Sequence, residues 1–163
     1  MTQAPGGAGG TGRVRPPVAL AFATILFAAL VIGGIGMVSL LLGEDPITAP
    51  GFGQFPGVFG TILAVLAFAG VLWAGLRRPH PSFWSGTWAG LAAFVVYLLA
   101  VWIAGAIQTA DPVLAASVVG RLITAGFAFV VLVGGMLAGW GGIVLVHTRG
   151  GRPRWPWEDR NTP

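Results

Sequence analysis

Leu122 to Val146 reads LITAGFAFVVLVGGMLAGWGGIVLV, 25 residues without a charge. At a rise of ~1.5 Å per residue such a helix reaches ~37 Å, enough to cross a ~30 Å hydrocarbon layer with some tilt. Three more apolar runs precede it, Val18 to Leu42, about 57–76 and about 83–108. The expected fold is therefore all-α: a polytopic integral membrane protein with four transmembrane helices in an up-down bundle. Composition agrees. Only 9% of the 163 residues are charged, against about 25% in a soluble domain.

The chain just before the quoted stretch is Asp111-Pro112, then Val113 to Gly120, then Arg121. Asp-Pro is a helix start, an acidic cap followed by a proline whose missing N–H does no harm. A fourth helix is thus expected over 112–147. It is ~20 Å longer than the hydrocarbon needs, so its lead-in is expected to project above the outer face or to lie along the interface.

Upstream, residues 1–17 are glycine, proline and small polar residues, expected to form a disordered cytoplasmic arm. The apolar run after Arg13 and Arg15 is too long for the ~7–15-residue core of a signal peptide, and no A-x-A site follows it. It reads as a retained first helix. The loop GEDPITAPGFGQFP, from Gly43 to Pro56, carries Glu44 and Asp45 as its only charges, and its Phe52 and Phe55 are expected to dip into the headgroup zone. Arg77-Arg78-Pro79-His80-Pro81-Ser82 is a short basic connection, and residues 148–163 form a basic tail with Trp155 and Trp157. Two arginines lie in the arm, two in the connection and four in the tail, against Arg121 alone on the other side. This positive-inside pattern predicts that both termini are cytoplasmic.

Lipid tails are as apolar as leucine, so close backbone approach between small residues is what holds membrane helices together. The fourth span is richest, with Gly135-x-x-x-Gly139 flanked by Gly134, Ala138, Gly141 and Gly142. The third has Gly86-x-x-x-Gly90, the second Gly60-x-x-x-Ala64 and Gly70-x-x-x-Ala74, and the first Ala29-x-x-x-Gly33. These predict either packing within one bundle or docking of a second copy or another protein.

Chemistry is sparse. Arg121 is the one charge at an odd depth. It is read either as snorkelling to outer headgroups, or pairing with Asp111, Glu44 or Asp45, or as part of an outer vestibule built with those acids. The three acids could bind a cation, which needs ~six oxygens, but on flexible loops they are read as following the charge asymmetry, and no metal is expected. His80 and His147 lack a third ligand and lie at a membrane edge, not deep in a span, so neither zinc nor haem is expected. Tyr97, near the middle of the third span, needs a hydrogen-bond partner such as a helix carbonyl, Ser39, Thr61 or Thr124. Trp155 and Trp157, among arginines, suit either the inner headgroup layer or a docking motif for a partner.

With no cysteine there are no disulfides or thiolate sites. No nucleophile triad, phosphate-cradling loop or zinc motif appears, and the arginines beside apolar spans are not a nucleic-acid signal. Small multidrug exporters are similar in size and topology, but they carry a glutamate within the first helix, and Val18 to Leu42 has none. The architecture, the all-arginine basic set and the ending Arg152-Pro153-Arg154-Trp155-Pro156-Trp157-Glu158-Asp159-Arg160 resemble the small four-helix membrane proteins common in actinobacteria. That resemblance implies no known activity. The expectation is a non-enzymatic accessory, assembly or interaction component of the cytoplasmic membrane without cofactor. Its partners are the lipid bilayer and either another membrane protein or itself. The alternative is a small oligomeric transporter or channel with Arg121 near the outer vestibule.

Overall fold

The computed structural model describes residues 14–43, 51–77 and 82–147. Within them lie five helices: α1 (Pro16–Leu42), α2 (Phe55–Leu76), α3 (Phe83–Thr109), α4 (Pro112–Thr124) and α5 (Phe127–His147). No strand occurs among the described residues. α1, α2, α3 and α5 are each long and apolar enough to cross a membrane, and α4 is a shorter apolar helix. The arm up to Arg13, the acids Glu44 and Asp45, Arg78 to Pro81 and the tail from Thr148 lie outside the described residues.

Local chemistry sets the helix ends. Pro16 and Pro17 occupy the first turn of α1, and Gly43 closes it in the left-handed conformation with φ 64°. The Ser82 side chain accepts from the Trp84 amide at the start of α3. Ala110 ends α3 at φ 53°, the one non-glycine residue with positive φ among those described.

The helices form a ring in the order α1, α2, α3, α5, with α5 closing back on α1. α2 lies along α3 and α3 along α5, in the two most extensive interfaces. At the centre Phe27 of α1 stacks on Phe68 of α2, with ring centroids 4.5 Å apart. The outward faces are equally apolar: Phe22, Ile25, Leu40 and Ile107 are all mostly exposed. Exposure of large apolar side chains on every side is unlike a water-soluble monomer and suits a lipid solvent.

The expected fourth helix over 112–147 is two helices. Gly126 takes φ 88°, which ends α4. The last turn tightens as the Ala125 amide donates to the Arg121 carbonyl and the Gly126 amide to that of Ile123. The Thr124 hydroxyl also donates to the Gly120 carbonyl at 3.1 Å. α5 then restarts at Phe127, and its 21 residues cover ~31 Å, one hydrocarbon thickness. Phe129 meets Phe94 while α3 runs on to Thr109, so α5 begins well short of the end of α3. α4 fills part of that remaining length. Ala115, Val118 and Leu122 form its buried face, it packs mainly on α3, and the Trp102 indole donates to the Pro112 carbonyl at 3.2 Å. The lead-in is thus folded against α3 and does not continue the span.

Phe52 also differs from expectation. It is fully buried, with its ring against Gly105 of α3, and does not rest among headgroups. Phe55 opens α2 and is largely exposed.

Gly126→Ala forces a side chain into the left-handed region and is expected to cost about 1–2 kcal/mol, read as a lower midpoint of unfolding in a denaturing-detergent titration. Asp111→Ala removes the α4 cap and is expected to cost about 1 kcal/mol by the same measurement.

Candidate functional site

The small residues of α3 and α5 meet directly. A methyl group built on Gly90 would lie 2.7 Å from the Met136 amide nitrogen, and one on Gly135 2.7 Å from the Gly90 Cα. One turn away, a methyl on Gly139 would lie 2.8 Å from both the Gly86 Cα and its carbonyl oxygen. Real side chains do not tolerate such separations, so the two backbones touch along this seam. Gly86, Gly90, Gly135 and Gly139 therefore face each other within one chain. Trp140, next to Gly139, donates its indole N–H to the Thr87 hydroxyl at 3.3 Å.

Other glycine motifs fall elsewhere. Gly60 lies against Tyr97 and Val101 in the α2–α3 seam, and Gly142 lies against Ala23 of α1. Gly70 and Gly33 face open space with nothing within 4 Å. The Gly70-Ala74 pair, expected to support packing, looks outward.

The polar candidates are spread along the bundle. Asp111 caps α4, its Oδ1 accepting from the Val113 amide at 2.9 Å and the Leu114 amide at 3.0 Å. Arg121 lies in the last turn of α4, on the exposed face. Ten residues of helix separate the two, ~15 Å along the axis, so the Asp111 carboxylate serves the helix start and does not reach the guanidinium. Glu44, Asp45, Trp155 and Trp157 lie outside the described residues. His147, at the end of α5, donates through Nδ1 to the Ile143 carbonyl at 2.9 Å and stacks beside Phe83. Among the described residues no three His, Asp or Glu side chains gather at one point.

Between the helices the described residues pack a mainly apolar interior. Tyr97 apart, no residue with a polar or charged side chain is fully buried among those described. The one buried side-chain polar atom found there without a partner is the Thr24 hydroxyl of α1. Sequence reasoning missed Gly105 as the seat of Phe52 and Gly126 as a break. The signal for the first was an aromatic in a glycine-rich loop. For the second it was the Thr-Ala-Gly run, in which a back-bonding hydroxyl precedes a glycine.

Gly90→Leu is expected to destabilise the bundle by at least about 2–3 kcal/mol, because backbone stands where the side chain would go. Gly33→Leu should stay within about 0.5 kcal/mol of the parent. Thermal unfolding in detergent of the two variants side by side checks the difference.

Comparison with curated proteins and with solved structures finds no match. The model of a family of unknown function, DUF6121, matches residues 13–163. That match covers all five helices, so the chain belongs to DUF6121.

Proposed function

We propose that the protein is a non-enzymatic accessory, assembly or interaction component of a bacterial cytoplasmic membrane, actinobacterial in origin, with both termini inside the cell. The observation that carries this reading is the close packing of the described helices. The α3–α5 backbones touch at Gly86, Gly90, Gly135 and Gly139, and the core is filled by Phe27, Phe68, Leu72 and their neighbours. Helices packed this closely offer their surface and their polar ends for recognition. The eight-to-one arginine asymmetry supports the orientation. Arginine and tryptophan in the tail supply favoured anchors for a partner.

A second reading, a small oligomeric transporter or channel, draws support from the break at Ala125–Gly126, one turn beyond Arg121. Interrupted helices line the substrate sites of several transporter folds.

Native mass spectrometry of the protein drawn from its own membrane in mild detergent separates the two. A second protein at fixed stoichiometry, lost when Trp155 and Trp157 are both changed to alanine, is the expected result. A homo-oligomer with no second protein overturns the first reading. The second reading then predicts solute or ion flux in liposomes of the purified protein, altered by Arg121→Gln.

A further inference from the structure

The outward-facing Gly70-Ala74 pair opens onto a groove of about 630 Å³ between the end of α2 and the start of α3. That volume is within the ~300–1,000 Å³ usual for small-molecule sites. Gly70, Val71 and Ala74 form its α2 wall, Trp84 and Trp88 its α3 wall, and Ser82 and Ser85 close one end. The two indoles are 71% and 59% exposed, so they stand as open walls and not as core. At the closed end the helices touch, with Gly75 against Ser85.

We infer that this groove binds a single anionic phospholipid, with an acyl chain along Gly70 and Ala74 and the phosphate beside Arg77. Three observations point to this occupant. The groove runs from an apolar body to a polar end, the order of chemistry from a lipid tail to its glycerol and headgroup. Gly70 and Ala74 lie one turn apart on α2, and Arg77, which caps the end of that helix just beyond the groove's lining, is at the same end as Ser82 and Ser85. The Arg77 guanidinium lies over the neighbouring Trp73 ring, 5.4 Å from the centroid, a cation–π contact that is weak at an exposed site. Finally, Trp73, Trp84, Trp88 and Trp140 share one end of the bundle, where aromatic side chains settle at headgroup depth. Arg78 follows directly in the sequence and adds positive charge, which draws anionic lipid to a membrane surface.

The groove admits a selective test because Gly70 has open space where a side chain would go. The probes are phosphatidylglycerol and phosphatidylcholine with identical acyl chains, added to delipidated full-length protein in detergent and counted by native mass spectrometry. The expected result is one retained phosphatidylglycerol per chain. Gly70→Leu should reduce that occupancy for both lipids while unfolding temperature and helix content stay unchanged. Arg77→Gln, outside the packed bundle, should lower the preference for phosphatidylglycerol over phosphatidylcholine by about fivefold while phosphatidylcholine binding persists. Unchanged lipid retention in Gly70→Leu overturns the groove assignment. An unchanged preference in Arg77→Gln overturns the headgroup assignment. A parent dimer that Gly70→Leu dissociates would make a second copy the occupant and overturn the proposal.

Discussion

The closest approach in the bundle is the line where α3 and α5 meet with no side chain between Gly86, Gly90, Gly135 and Gly139. Without that approach the aromatic layer formed by Phe27 and Phe68 would have no wall to press against. In water such rings would be driven together by the cost of exposing them. In lipid that term vanishes, and dispersion between closely fitted surfaces takes its place. Small residues therefore carry the energetic weight here that large apolar ones carry in a soluble core.

The same seam sets where α5 begins. Its antiparallel register, Gly86 with Gly139 and Gly90 with Gly135, places the start of α5 below the end of α3. The chain between Thr109 and Phe127 must close that gap. It does so with α4, whose apolar face lies on α3, and with Gly126, whose left-handed backbone lets one helix stop and another start. The hydroxyls of Ser117 and Thr124 are spent on carbonyls of their own helix, so the exposed face of α4 carries polar residues without demanding water. Arg121 lies on that same exposed face, in the last turn before the break.

Glycine pairs four residues apart have two fates in this chain. In α3 and α5 they allow backbones to meet. At Gly70 they leave a hollow bordered by Trp84 and Trp88, with Arg77 following at the end of α2. A hollow on a lipid-facing surface is filled by whatever the bilayer supplies. The arrangement of charge and aromatic rings around it then determines which component gains most from entering.

The all-helical fold, the four runs long and apolar enough to cross a membrane and the charge asymmetry were legible in the sequence because each is a local property. An uncharged run of 20 or more residues has one low-energy disposition in a bilayer, and Asp111-Pro112 or Gly43 marks a helix end without help from a neighbour. The tertiary structure alone decided which glycines form the seam, that Phe52 is buried on Gly105, that 112–147 is broken at Gly126 and that Gly70 faces out. The reason is physical. Glycine has no side chain, so a seam, a hollow and a break leave the same letter in the sequence. Lipid matches the interior in polarity, so no alternation of polar and apolar residues distinguishes the inward face of a spanning helix from the outward one. Only the register of one helix against the next makes that distinction.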